Sequence, residues 1–284
     1  NFRMKALSYI ASALFVCYIL NPVVIGQDKA TKAEHKYKER TFCSSENWGN
    51  GDKVSFKEAR EFTVPATGSL NVDGGRNGGI SVNGENRADV LVRACVQAWG
   101  TSEEAAKSLA SSVRIDTGST IKANSSSDDN WSVSYQISVP RNTDLSLNAH
   151  NGGISIRSVD GVIEFETTNG GVSLGDLSGS VKGRTTNGGV NVELTGSTWK
   201  GPGLDVVTTN GGVKLSVPET YAANFETGTT NGGFKSDVPA LTVQTEDKDG
   251  WTRSKKIRAS MNGGGAPIRV VTTNGGIKID ASAN

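Results

Sequence analysis

The sequence predicts an all-β protein, a right-handed parallel β-solenoid (β-helix) with one short helix near its N-terminal part. Three observations carry that expectation. The pentapeptide Thr-Thr-Asn-Gly-Gly occurs five times, beginning at Thr167, Thr185, Thr208, Thr229 and Thr272. Apolar and polar residues alternate on both sides of each copy, the period of a strand. The 284-residue chain also combines 35 Gly with only 35% hydrophobic residues, too little apolar matter for a thick core but enough for a narrow interior shared by stacked repeats.

The N-terminal segment reads as a leader. Met4 and Lys5 precede the apolar run ALSYIASALFVCYIL, which is short for a membrane span and is followed by Pro22 and the small Gly26. We take residues 1–26 as a secretory signal peptide, with an uncleaved anchor as the alternative. Cys17 lies inside the run, but Leu14, Phe15 and Val16 lack the small residue that a lipoprotein signal needs before its cysteine. Residues 27–60 are polar and mildly basic and read as an arm or linker. The solenoid domain is expected over 61–284. Removal of the leader leaves Cys43 and Cys95 in a compartment where disulfides persist, so a bridge and two free thiols both stand.

Within the domain, the stretch from Phe62 to Val64 is extended ahead of Pro65. Asn77, Gly78 and Gly79 form an early copy of the repeat corner, and ADVLVRACVQAW alternates as a strand. Thr101 or Ser102 caps a helix through SEEAAKSLASSV, with Glu103 and Glu104 in its first turn, where the helix dipole favours negative charge. The segment WSVSYQISVP alternates again and stops at Pro140.

The repeat itself begins near Leu145. Aligning every Asn-Gly-Gly places starts at Asn151, Asn169, Asn187, Asn210, Asn231 and Asn274, spaced by 18, 18, 23, 21 and 43 residues. The long interval is read as holding an insertion over residues 245–266, with the extra Asn-Gly-Gly at Asn262 in a loop. Counting back by twos from each first Thr assigns inward triplets such as Ile163, Phe165 and Thr167, or Leu204, Val206 and Thr208. Beyond the corner, pairs such as Val172 with Leu174 and Val190 with Val192 resume the pattern. Each rung therefore supplies two short strands to one interior. Burying an aliphatic side chain is worth ~1.5 to 3 kcal/mol, which opposes the ordering cost only when rungs stack. Outward Glu164 and Glu166 fall in the columns of Lys182 and Arg184, an opposite-sign ladder that favours parallel register.

The corner has a structural reading. Thr is β-branched and suits extended backbone, while Asn and Gly tolerate a tight turn. Asn169, Asn187, Asn210, Asn231 and Asn274 are therefore expected to form the corner and to hydrogen-bond from rung to rung, as amide ladders do in stacked strands.

This order of parts resembles the "putative adhesin" domain family of bacterial envelope and secreted proteins, a domain of unknown function. The resemblance rests on the strand-rich opening GSLNVDGGRNGGISVNGENRADVLVRA, the helix SEEAAKSLASSV, a strand ending in Val-Pro and the Gly-rich rungs, over about residues 66–280. It implies a single-domain right-handed β-solenoid outside the cytoplasm, with no recognised catalytic residues. Many relatives carry Gly-Asp or Ser-Gly-Asp where this chain has Asn-Gly-Gly, which weakens any inference about bound cations.

The chemistry looked for in the residues agrees with a non-enzymatic reading. Asp160, Asp176, Asp205 and Asp237 are scattered among turns rather than aligned as a sugar-cleaving pair. His35 and His150 have no second ligand at metal-site spacing, and no nucleophile elbow or phosphate loop occurs. The calcium β-roll pattern fails because no Asp recurs after the corner; Glu-Asp-Lys-Asp-Gly at 246–250 reads as a solvated insertion. No catalytic residue, metal or cofactor is expected. With a net charge of +1, no bulk field draws nucleic acid.

Two places could recognise a partner. One is the outward Thr column, Thr168, Thr186, Thr209, Thr230 and Thr273, a regular surface suited to a polymer, a glycan or ice. The other is the insertion, where Trp251 accompanies Lys255, Lys256 and Arg258. The expected function is an exported adhesion, envelope-scaffold or surface-interaction module in the periplasm, on the cell surface or outside the cell. Its expected partners are a glycan, a cell-wall polymer or an envelope protein, with no transmembrane segment in the mature chain. Alternatives are a carbohydrate-active β-helix enzyme and a self-assembling solenoid that associates through its C-terminal edge at residues 277–280.

Overall fold

The computed structural model describes residues 42–43, 53–126, 130–241 and 255–282. The signal-peptide expectation, most of the arm and Trp251 fall outside them. The N-terminal part is strand-rich: β1 (Val54–Pro65), β2 (Ser69–Asp73), β3 (Ile80–Glu85) and β4 (Asp89–Gly100) precede the helix α1 (Glu103–Ser112). Next come β5 (Arg114–Thr117), β6 (Ile121–Asn124) and β7 (Trp131–Pro140). Residues 54–60, expected in the arm, already belong to β1, which pairs antiparallel with β4 from Val54↔Gly100 to Pro65↔Asp89. Only Phe56, Phe62 and Val64 of this strand pack on the core, so it lacks the clean alternation that marks β4.

In β4 every second residue from Val90 to Ala98 is buried. The helix α1 packs on this layer through Ala106 and Ala110, and its cap is Ser102, whose side chain accepts the Ala105 N–H. At its other end Arg60 of β1 donates to the carbonyls of Ala110 and Val113. Those acceptors sit in the last turn, where intrahelical partners run out.

The rungs follow in pairs: β8 (Asp144–Ala149) with β9 (Ile154–Arg157), β10 (Asp160–Thr167) with β11 (Val172–Gly175), and β12 (Ser178–Asn187) with β13 (Val190–Glu193). Then come β14 (Gly203–Asn210) with β15 (Val213–Pro218), and β16 (Ala223–Asn231) with β17 (Phe234–Ser236). The chain ends in β18 (Lys255–Met261), β19 (Pro267–Asn274) and β20 (Ile277–Ser282). The predicted deep apolar positions are buried, from Leu145 and Leu147 to Ile277 and Ile279, except Phe234 on the terminal strand β17, which is half-buried. Gly183 replaces one of them because the Phe165 ring fills the place its Cβ would take, at 2.3 Å.

Two ten-stranded sheets result, β1-β4-β7-β3-β9-β11-β13-β15-β20-β17 and β18-β16-β19-β14-β12-β10-β8-β2-β6-β5. Pairing between rungs is parallel and in the predicted register, with Glu166 opposite Arg184. The early corner is a full rung, because β2 pairs with β8 and β3 with β9.

Three expectations need correction. The sheets are mixed rather than wholly parallel, since β1, β4 and β7 run antiparallel to one another, as do β5 with β6 and β16 with β18. Residues 255–261 of the expected insertion are a strand and not a loop: Ile257 and Met261 of β18 are buried on one face while Lys256, Arg258 and Ser260 are exposed on the other, a period-two pattern that extends the sheet beyond β16. Finally, the rungs do not stack in chain order. The last rung, β19 and β20, slots between β14/β15 and β16/β17. Residues 277–280 are therefore flanked on both sides and offer no open solenoid edge; the terminal strands of the two sheets at that end are β17 and β18.

Candidate functional site

The first Thr, the Asn and the first Gly of the repeated pentapeptide each meet an adjacent rung. The first Thr points inward, and its hydroxyl donates to the carbonyl of a first Gly in an adjacent rung: Thr167 to Gly152, Thr185 to Gly170, Thr208 to Gly188, Thr272 to Gly211 and Thr229 to Gly275, at 2.7–2.8 Å. These hydroxyls are buried, with Thr208 fully so, so the bond satisfies a donor that water cannot reach. The Asn amides form one continuous ladder, Asn77, Asn151, Asn169, Asn187, Asn210, Asn274 and Asn231, each step a hydrogen bond of 2.7–3.0 Å.

The two glycines differ. A Cβ on the first would lie 2.0 Å from the neighbouring Gly carbonyl oxygen at Gly170, Gly188, Gly211 and Gly275, so backbone occupies the space of any side chain. A Cβ on the second meets its neighbour only at 3.4–3.5 Å for Gly171, Gly189, Gly212 and Gly276. These second glycines are exposed.

The predicted Thr column is present. Thr186, Thr209, Thr230 and Thr273 are exposed and Thr168 is half-buried, beside the amide ladder. In space Thr273 lies between Thr209 and Thr230, following the strand order. Lys255, Lys256 and Arg258, expected on a loop, lie on the edge strand β18, where Lys255 pairs with Thr229 and Arg258 approaches Glu226 at 3.5 Å. Charged side chains on the last strand of a sheet discourage pairing with another chain. Cys43 and Cys95 are joined in a disulfide with Cα atoms 5.2 Å apart.

Charges on the outer surface are paired across rungs. Glu166 meets Arg184 at 2.8 Å, and Arg269 bridges Asp205 and Glu226. Among the described residues, four carboxylates are held below the usual range. Hydrogen bonds from Ser138 and Asn83 do this for Glu85, and backbone and Ser102 hydrogen bonds at the start of α1 for Glu104. At Asp176 burial pushes the other way but is outweighed by Ser158, Thr195 and Arg141, and at Asp280 the cause is chiefly Lys278. Burial alone pushes the Tyr221 phenol up to about 12. No group of three His, Cys, Asp or Glu is placed to hold a metal among the described residues.

One feature escaped sequence reasoning. On the sheet that contains β11, β13, β15, β20 and β17, the exposed second glycines floor a trench of about 890 Å³ along Gly171, Gly189, Gly212, Gly276 and Gly233. It continues over Gly153 and Gly79 toward Phe42. The signal was the residue two places after each corner, which is Lys in GGVKL, GGFKS and GGIKI.

The rungs from β8 to Asp280 of β20 lie within the match to a known family: its sequence profile, Toastrack DUF4097, matches residues 111–280, more than half of the chain. The protein belongs to the Toastrack DUF4097 family. Among curated proteins nothing matches this Toastrack chain. Two solved structures are similar to it. A "putative cell adhesion protein" from Clostridium sporogenes shares 10% identity with a TM-score of 0.39, covering 80% of this chain and 100% of that one. A "putative adhesin" from Bacteroides fragilis shares 8% identity with a TM-score of 0.34, covering 80% of this chain and 97% of that one. The Toastrack match begins inside α1, so β1 to β4 lie upstream of the matched region.

Proposed function

We propose that this Toastrack protein is an exported, non-enzymatic surface-interaction module that acts in adhesion or as an envelope scaffold, and that its rungs wind right-handed. The handedness rests on the strong preference of parallel crossover connections. Export is supported by the leader-like N-terminal sequence and by a disulfide, which persists in oxidising compartments. Its proposed ligands are a glycan, a cell-wall polymer or an envelope protein.

The observation that carries the reading is the unbroken amide ladder beside the exposed Thr column. Seven rungs present the Asn amide and five of them the outward Thr hydroxyl at the ~4.8 Å strand spacing, a rigid surface that loses little conformational freedom when a repetitive partner docks. Among the described residues, the carboxylates with displaced acidity are all held ionised, the direction opposite to that required of a sugar-cleaving proton donor.

The test is a glycan array and a cell-wall pull-down with the full exported chain, beside the same chain carrying Thr186→Lys, Thr209→Lys and Thr273→Lys. Retention on wall material or glycan, weakened by the lysines, supports the reading. Absence of retention on any surface, or release of reducing sugar from the array, counts against it.

A further inference from the structure

The Toastrack trench has a polar bank of changing character. On the strands that form its floor, the next outward residue after each second Gly lies in register with its neighbours. Ser81 pairs with Ser155, Ser155 with Ser173 and Ser173 with Asn191. From there the bank turns cationic: Asn191 pairs with Lys214, Lys214 with Lys278 and Lys278 with Lys235. The final three positions thus place ammonium groups on three adjacent strands, roughly 4.8 Å apart per step.

Two carboxylates serve these three lysines. Lys278 meets Asp280 at 2.5 Å, Lys214 meets the same Asp280 at 3.6 Å, and Lys235 meets Asp237 at 3.7 Å. Asp280 stands two residues beyond Lys278 on β20 and Asp237 two residues beyond Lys235, just past the end of β17, both on the side away from the glycine floor. The lysine side chains remain 51–70% exposed, and exposed pairs of this kind are weak enough to exchange partners. A surplus positive charge therefore faces the trench. Aromatic rings mark its two ends: Phe42, next to the Cys43 disulfide, and half-buried Phe234.

We infer that the trench is a binding groove for a linear acidic polysaccharide, laid across the strands, with its anionic groups on Lys214, Lys278 and Lys235 and its hydroxyls on the serine half. The occupant's chemistry follows from three features. The side-chain-free floor admits a chain lying flat against backbone. The bank offers hydroxyls and one amide where the charge ends, which match sugar hydroxyls. The aromatic faces sit only at the ends, whereas a single-stranded nucleic acid would need a ring for successive bases. The inference rests on the surface-interaction reading and names the ligand class for a face other than the Thr column.

The test uses the full exported chain with polygalacturonate as the anionic probe and dextran as the neutral one. Polygalacturonate should bind and dextran should not, with affinity falling as salt screens the lysines. The Lys214→Gln, Lys235→Gln and Lys278→Gln triple variant should lose at least tenfold, and Gly189→Leu, which fills the trench without altering charge, should lose a similar factor. Lys107→Gln, which removes a charge from the exposed side of α1, should change nothing. Circular dichroism identifies a variant that fails to fold. Binding unaltered by both the lysine and the glycine changes overturns the groove, as does oligo-dT competing on equal terms. If the chain ignores polygalacturonate yet binds wall material through the Thr column, the groove fails while the surface-interaction reading stands; if it binds neither, both fail.

Discussion

Asn274 donates a 2.8 Å hydrogen bond to Asn210, although 64 residues separate them and Asn231 intervenes in the sequence. Asn231 in turn donates to Asn274, so the last rung sits as an inner step of the ladder. Asn274→Ala breaks two bonds and should cost ~1 kcal/mol, since exposed amides regain water. Asn77→Ala, at the end of the ladder, breaks one and should cost less. Urea denaturation of the two variants gives the comparison; equal losses would mean the ladder adds nothing beyond local turn geometry.

The two glycines of a corner should respond differently to the same methyl group. Gly188→Ala drives Cβ to 2.0 Å from the Gly170 carbonyl oxygen, whereas Gly212→Ala meets Gly276 at 3.4 Å. Overpacking against backbone costs ~1 to 3 kcal/mol, so Gly188→Ala should lower the thermal midpoint clearly while Gly212→Ala stays close to the parent. Calorimetry on both decides it.

Thr208 is fully buried and donates to the Gly188 carbonyl at 2.8 Å. Thr208→Val keeps the shape and removes the donor, leaving that carbonyl unpaired inside the protein, at a cost of ~1 to 3 kcal/mol. Thr209→Val, one residue on and exposed, should be nearly silent in the same denaturation assay.

The Cys43–Cys95 bridge spans 52 residues, for which the chain-entropy estimate gives ~4 kcal/mol of stabilisation. A Cys43→Ser, Cys95→Ser chain should therefore unfold at much lower denaturant than the oxidised parent, and dithiothreitol should shift the parent to the same position. Coincident midpoints for all three would show that the bridge closes no costly loop.

Asp176 ionises more readily in the folded protein than in the unfolded chain, because Ser158, Thr195 and Arg141 outweigh burial. Its contribution to stability is present above the ordinary Asp pKa and is lost as pH falls through the lowered folded value. Asp176→Asn should therefore be less stable than the parent near neutrality and converge with it as the pH falls, giving a shallower acid limb; parallel limbs would contradict the assignment.

The inward alternation, the helix with its Ser102 cap and the corner were legible because each depends on local chemistry that repeats. Gly183 opposite Phe165 was legible only as a gap in an apolar column, since the compensating ring lies on another rung. The order of the last two rungs was not legible, because Thr-Thr-Asn-Gly-Gly presents identical partners above and below and Asn210 can accept from Asn231 or Asn274 equally well. β18 carries a period-two signal in Ile257, Ala259 and Met261, but a 43-residue spacing was read as an interruption rather than as a rung and an added strand. The lysines of the trench were visible in the sequence yet unconnected, because only the observed strand order brings Lys278 between Lys214 and Lys235.

The interleaved rung also sets a timetable for folding. A chain delivered N-terminus first can add β8 through β15 one step at a time, each on a finished platform. β16 and β17 then arrive with no permanent seat, because their neighbours β19 and β20 have yet to appear. Residues 223–236 must wait, or dock provisionally on β14 and be displaced, until residues 267–282 slide in as a wedge. The closing stage of assembly is thus an exchange of strands rather than one more addition, and a chain cut short before residue 267 would mature with β16 in another strand's place.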